Sequence, residues 1–301
     1  MGSQRTPRLS SGDRIGDFMV HDTLGVGGVA TVYRARHMQT LECAAVKVHE
    51  APGEIGAAAR GRLGHEALML SALRSSRTPE VIDLHLDGPT PYLAMTIAGR
   101  ESLAQRLRAQ GALDLADAVR IISSAAESLQ AVHDAGILHM DLTPANLVLA
   151  DDGAVRIVDF GAALQVTGSP LAGSGSYDAT AGYVAPERCF GARPSATMDV
   201  FSLAAIAYRA LIGTRAYIDP RSTCPRPVDG GRQLLLPFRL RPEIGPELSH
   251  VLVRSLSLRP ADRAASPMDF AEQFARALPA SRCLRTAAAR GLARARTQAR
   301  A

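Results

Sequence analysis

His139-Met140-Asp141-Leu142-Thr143-Pro144-Ala145-Asn146 follows a long helical pattern and precedes a short strand pattern. Its spacing puts an aspartate and an asparagine on one loop. Asp141 suits the task of taking a proton from an attacking hydroxyl, and Asn146 offers an amide oxygen to a hard cation. Asp159-Phe160-Gly161 directly follows the strand pattern Val155-Arg156-Ile157-Val158. An aspartate at a strand end, backed by glycine, suits a cation ligand on a hinged loop. Taken singly, each segment also has a reading as ordinary loop or turn chemistry.

Working outward towards the N-terminus, Gly25-Val26-Gly27-Gly28 separates two strand patterns, one led by Phe18-Met19-Val20 and one by Ala30-Thr31-Val32-Tyr33. Glycines there let backbone N–H groups approach phosphate oxygens. A strand rather than a helix follows them, and no Gly-Lys-Ser/Thr follows either, which excludes the dinucleotide-binding and Walker-type loops. Next comes Ala44-Ala45-Val46-Lys47-Val48. Of 34 lysines and arginines, only Lys47 is lysine. A lysine inside an apolar strand needs anionic partners. Glu66, on the helix expected over 57–74 with Leu63, Ala67 and Leu70, supplies one, and a triphosphate another.

Further strands are expected near 80–86 and 91–97, a helix over 114–135 between Asp114 and Gly136, and strands at 147–149 and 155–158. A long Gly/Ser/Ala-rich loop covers 162–182. The most apolar helix covers 197–212, an irregular proline-rich stretch 219–242, and two helices lie near 246–257 and 267–278. Strands first and helices later give an α+β class.

The ordered set of glycine turn, Lys47, Glu66, the His139–Asn146 loop, Asp159-Phe160-Gly161 and Ala185-Pro186-Glu187 resembles a eukaryotic-type protein Ser/Thr kinase, of the kind also found in bacteria. The resemblance covers roughly residues 14–278. It implies a two-lobed fold: a small antiparallel-sheet N-lobe with one main helix (14–97) and a larger, mostly helical C-lobe (98–280). It implies ATP with Mg²⁺, or Mn²⁺ in its place, and a protein substrate carrying the Ser/Thr acceptor, with autophosphorylation. The loop ending in Thr180–Glu187 resembles a peptide-docking segment.

By the same resemblance, Gly25, Val26, Gly27 and Gly28 cover the ATP phosphates, and Lys47 holds them while pairing with Glu66. Val32, Ala45, Met95 and Ile97 belong to the nucleotide-binding set, the adenine meeting the backbone near Met95-Thr96-Ile97-Ala98. Asn146 and Asp159 bind the metal, Asp141 orients and deprotonates the acceptor, and Thr180 contacts Asp141. Asp199 and Arg263, the latter paired with Glu187, are structural.

Three positions depart from the family pattern. Ala30 replaces the third glycine. Met140 stands where many members carry an arginine that reads an activation-loop phosphate, so activation is expected not to require loop phosphorylation. Thr143 stands where a lysine usually neutralises γ-phosphate charge. It keeps open one rival, a pseudokinase or ATP-binding scaffold; a small-molecule phosphotransferase of related fold is a second rival, against which the loop ending in Thr180–Glu187 argues.

The chain has 301 residues, and its net charge of +5 is localised. Arg282, Arg285, Arg290, Arg294, Arg296 and Arg300 crowd residues 281–301 without an acidic residue; setting them aside leaves 28 basic side chains against 29 acidic. The body therefore offers no charge argument for a nucleic-acid site. The tail reads either as a solvated extension or as a site for an anionic partner, and residues 1–13 as a flexible N-terminus. No apolar run reaches the length of a membrane span. Four scattered cysteines and no CxxC pair point to a reducing, cytoplasmic setting.

Overall fold

The structure is a computed structural model and describes residues 9–27, 30–49, 57–166, 182–216 and 234–278. Gly28, Thr180, residues 1–8 and the arginine-rich tail lie outside the described residues. Two compact units form. One runs to Ala98 and takes in Asp159–Gly161; the other holds Gly99–Val158 and resumes at Ala162.

The first unit is built on an antiparallel sheet of β1 (Arg14–Ile15), β2 (Phe18–Val26), β3 (Ala30–His37), β4 (Cys43–His49), β5 (Val81–His85) and β6 (Tyr92–Met95), in the order β1-β2-β3-β4-β6-β5. Strand alternation divides its residues cleanly. Phe18, Val20, Tyr33, Ala35, Ala44, Val46, Tyr92 and Ala94 enter one buried cluster. Each large side chain so buried contributes about 1.5–3 kcal/mol. The residues between them face the other way.

β2 carries two register shifts, between Val20 and Asp22 and between Thr23 and Gly25. Such irregularities bend a strand, here just before the glycine turn. Helix α1 (Ala57–Ala72) buries Ala59, Leu63, Ala67 and Leu70 at the three-and-four spacing expected from the sequence, and Glu66 lies on the same buried stripe.

The second unit is mostly helical. After β7 (Glu101–Ser102) come α2 (Leu103–Gln110), α3 (Leu115–Asp134), β8 (Ile137–Leu138), β9 (Leu147–Leu149), β10 (Val155–Ile157) and β11 (Leu164–Gln165). Then follow α4 (Pro186–Cys189), α5 (Ala196–Ile212), α6 (Pro237–Leu240), α7 (Gly245–Ser255) and α8 (Pro267–Arg276). Asp114 caps α3, its Oδ1 accepting from the Asp117 N–H at 2.8 Å. α5 ends at Gly213, whose φ of 82° is the left-handed value glycine adopts freely. α3 and α5 are buried along most of their length and pack on each other and on α8.

The stretch expected to be irregular over 219–242 contains ordered helical turns where it is described: α6 and a 3₁₀ turn at Pro242–Ile244, both with proline in the first turn. Proline's fixed φ favours that position rather than opposing it. Among the described residues, no helix is long and apolar enough to cross a membrane.

Candidate active site

Within the first unit, Val32 sits directly opposite Lys47, Gly25 opposite Val32, and Ala45 opposite Met95. Partners across a ladder, and residues two apart along a strand, share a face. Gly25, Val32, Ala45, Lys47 and Met95 therefore line one face, opposite the Phe18–Tyr33–Tyr92 cluster. Ile97 follows β6 and is partly exposed.

The glycine turn is tight. Gly27 N–H donates to the Ala30 carbonyl at 2.8 Å, and a Cβ at Gly27 would approach that oxygen to 3.1 Å. A Cβ at Gly25 would meet nothing within 4 Å. Gly25 is thus dispensable for packing, and its missing side chain leaves its backbone open to approach.

Lys47 is the centre of charge in this unit. Its Nζ donates to Glu66 Oε2 at 2.7 Å and to Asp159 Oδ1 at 2.8 Å. The side chains of Lys47 and Glu66 are 11% and 3% exposed, that of Asp159 46%. Burial pushes the ammonium towards neutrality, but the two carboxylates outweigh it and hold Lys47 above its ordinary range. Burial also lifts Glu66 above the usual carboxylate range, against the pull of Lys47. Asp159 has a φ of 67°, a left-handed backbone that costs a non-glycine residue roughly 1–2 kcal/mol. The Lys47 bond compensates by fixing the carboxylate.

Within the second unit, β8 and β9 bracket the His139–Asn146 loop, and each is paired, β8 with β11 and β9 with β10. Asp199, on the first turn of α5, organises the loop from beneath. It is fully buried. Its Oδ2 accepts from the His139 N–H and its Oδ1 from the Met140 N–H, both at 2.8 Å, and His133 Nε2 lies 2.8 Å from Oδ2. Burial alone would raise this carboxyl. The bond and charge of His133, the charge of His139 and the Met140 N–H together hold it below the usual range.

Met140 has a φ of 67° and a buried side chain. Asp141, partly exposed, follows it. The Asp141 carbonyl accepts from Asn146 Nδ2 at 2.8 Å, which orients the Asn146 amide oxygen away from that carbonyl. Val158 N–H donates to the Asn146 carbonyl at 3.0 Å, so the strand leading to Asp159 is tied to the residue that carries this amide. Thr143 is buried and uncharged.

Glu187 and Arg263 form the expected pair, with both guanidinium Nη atoms on the carboxylate at 2.6 and 2.8 Å. The guanidinium also donates to the Thr197 and Ser257 carbonyls and stacks over Phe201 at 4.8 Å. Sequence reasoning missed His133 and Arg188. His133 stands in the last turn of α3, where a basic residue commonly meets a carboxylate. Arg188 immediately follows Ala185-Pro186-Glu187, and its Nη1 donates to the Met140 carbonyl.

The family model for the protein kinase domain matches residues 18–274. The chain belongs to that family. This kinase domain is 29% identical over 248 residues to the serine/threonine-protein kinase PknB of Mycolicibacterium smegmatis, covering 80% of this chain and 40% of that protein. It is 28% identical over 271 residues to PknA of Mycobacterium tuberculosis, covering 86% and 61%. The chain thus spans about half the length of these relatives. A crystal structure of the Mycobacterium tuberculosis PknI kinase domain superposes with a TM-score of 0.68 at 26% identity, covering 90% of this chain and 100% of that one. The antiparallel-sheet unit with one long helix and the helical unit are the two parts of that fold. Kinase domains of this family use ATP with a divalent metal ion. By donor chemistry, the half-exposed Asp159 carboxylate of the first unit and the Asn146 amide oxygen of the second are each hard ligands of the kind such an ion takes.

Proposed function

We propose that this protein is a Ser/Thr protein kinase that transfers the ATP γ-phosphoryl group to protein hydroxyls. The observation that carries the reading is Lys47, a lysine held charged between Glu66 and Asp159 on the sheet face that also presents Gly25, Val32, Ala45 and Met95. A structural ion pair needs one carboxylate. The second fits a lysine poised beside a site for anions and a cation.

In this reading Lys47 orients the α- and β-phosphates, and Gly25, Val26, Gly27 and Gly28 supply backbone donors above them. Val32, Ala45, Met95 and Ile97 enclose the adenine. Asp159 and Asn146 hold Mg²⁺, with Mn²⁺ as the alternative ion, and the ion supplies charge neutralisation at the phosphates. Asp141 accepts the proton of the Ser or Thr hydroxyl as the new O–P bond forms and the β–γ bridging bond breaks, releasing ADP. Thr180 completes the set by orienting Asp141, and Asp199, through the Met140 N–H, keeps the loop in place. The division into an N-lobe over 14–97 and a C-lobe over 98–280 belongs to the same reading, as do autophosphorylation and a cytoplasmic location. The four scattered cysteines, with no CxxC pair, fit that location.

Thr143 favours one second reading. It brings no positive charge beside Asp141, so a pseudokinase that binds nucleotide without transfer is the rival. An acceptor screen separates the readings. Purified protein with γ-labelled ATP and Mg²⁺ is offered protein acceptors and small hydroxylated or aminated acceptors. Label recovered as phosphoserine or phosphothreonine supports the kinase. Label confined to a small molecule supports a phosphotransferase, and nucleotide-dependent thermal stabilisation without label supports the pseudokinase.

A further inference from the structure

The backbone of Met140 is held at a cost. A φ of 67° is unfavourable for an unbranched residue with a Cβ, and the side chain is buried at 5% exposure rather than released to solvent. Such a conformation persists only where surrounding contacts over-determine it. Two charged side chains do so. The Met140 N–H donates to Asp199 Oδ1 at 2.8 Å, and the Met140 carbonyl accepts from Arg188 Nη1.

That carbonyl belongs to the peptide that joins Met140 to Asp141. The other end of the same peptide is the Asp141 N–H, which donates to the His139 carbonyl at 2.9 Å. The peptide plane is therefore pinned at both ends, and the direction in which Asp141 leaves the loop follows from it. Asp141's own carbonyl is fixed in turn by Asn146.

Arg188 is placed to act this way because its neighbour is anchored. Glu187 binds Arg263, Arg263 also binds the Thr197 carbonyl next to α5's Asp199 turn, and Asp199 holds the Met140 N–H. Arg188 to Met140 closes this polar circuit through α4, α5 and the loop. Hydrogen bonds with one charged member contribute roughly twice what neutral ones do.

We propose that Arg188 is a positioning residue for Asp141: its guanidinium fixes the Met140–Asp141 peptide from the end of the activation segment. The proposal rests on the kinase reading for its effect on rate, but the tether itself does not. Arg188 touches neither substrate nor nucleotide in this role. It acts through the backbone, with no phosphate required.

The test compares wild type with Arg188→Met and Arg188→Lys in two readouts on the full chain. The first is amide hydrogen exchange. Arg188→Met should speed exchange in a peptide spanning residues 137–147 by ~10-fold or more, while peptides from α3 and α5 keep their protection, as local rather than global opening requires. The second is steady-state kinetics. Because small misplacement of a catalytic group costs up to about 100-fold in rate, kcat should fall ~10-fold or more with KM for ATP changed less than ~3-fold. Arg188→Lys, which keeps one charged donor, should fall between the two in both readouts.

Unchanged loop exchange in Arg188→Met overturns the tether. Faster loop exchange with unchanged kcat overturns the positioning role, and exchange that rises equally in α3 and α5 assigns Arg188 to general stability instead. If Arg188→Met does not fold, Arg188→Lys is read alone against the same criteria. If wild type transfers no phosphoryl group, the kinase reading fails, and loop exchange decides the tether by itself.

Discussion

Lys47 Nζ lies 2.7 Å from Glu66 Oε2, on a side chain 3% exposed that sits on the otherwise apolar buried stripe of α1. Asp159 Oδ1 accepts a second hydrogen bond from the same ammonium at 2.8 Å. The chain therefore spends buried charge at this point of an apolar core, and the charge is matched in position to a sheet face lined by small and medium apolar residues. That combination is costly for stability alone and productive for holding phosphates.

Replacing Lys47 with methionine should lower kcat/KM for transfer by about 100-fold or more, the scale of losing one preorganised electrostatic contact to the transition state. Lys47→Arg should restore little, because a planar fork does not reproduce a compact ammonium between two carboxylates. Steady-state kinetics on both variants checks this. An arginine variant with near-normal rate would count against the geometry.

The two turn glycines should behave differently. Gly25→Ala meets open space and should leave the melting temperature unchanged while raising KM for ATP. Gly27→Ala puts a Cβ 3.1 Å from the Ala30 carbonyl and should disturb the turn itself, lowering stability by about 1 kcal/mol as well as weakening nucleotide binding. Thermal melts with and without nucleotide distinguish the two.

Asp199→Asn should destabilise the fold by roughly 2–4 kcal/mol, since a buried carboxylate serving charged and backbone donors is replaced by a group that cannot accept at both oxygens. The folded pKa of Asp199 lies below its ordinary 3.8. Its contribution is thus fully present above that value and is lost as pH falls through the lower folded value. The stability gap between wild type and Asp199→Asn should narrow as pH falls below 3.8. Urea unfolding across the acid range measures the gap, and a gap that does not narrow there would assign the effect elsewhere.

Arg263→Met leaves Glu187 without its buried partner and should cost about 3–5 kcal/mol. Glu187→Gln keeps one acceptor for the guanidinium and should cost less. Denaturant titration orders the two. Equal losses would mean that the carboxylate alone carries Arg263, the Thr197 and Ser257 carbonyl bonds and the Phe201 stacking adding little.

Much of this was legible in the sequence because local pattern and chemistry agreed. β3, β4 and β6 announced themselves by short apolar runs, α3 by its period and Asp114, and Lys47 by being the chain's only lysine. Helix α2 was passed over although its start carries a readable sign: Ser102 and Gln105 form a reciprocal capping box. The two-residue strands β7, β8 and β11 have no local signature at all, since they exist only through pairing with distant partners. The same reason hid His133 and Arg188. Each acts on a group 66 or 48 residues away, and such contacts follow from packing rather than from neighbouring sequence.

The most direct test of the central claim is the rate of γ-phosphoryl transfer to a Ser/Thr protein acceptor by wild type and by Asp141→Asn, with folding checked by thermal melts. Expected is label on serine or threonine that falls by ~100-fold or more in Asp141→Asn, while nucleotide still stabilises both proteins against heat. Transfer that persists in Asp141→Asn, or a wild type that binds nucleotide and labels no hydroxyl, contradicts the assignment of Asp141 as the base of a protein kinase.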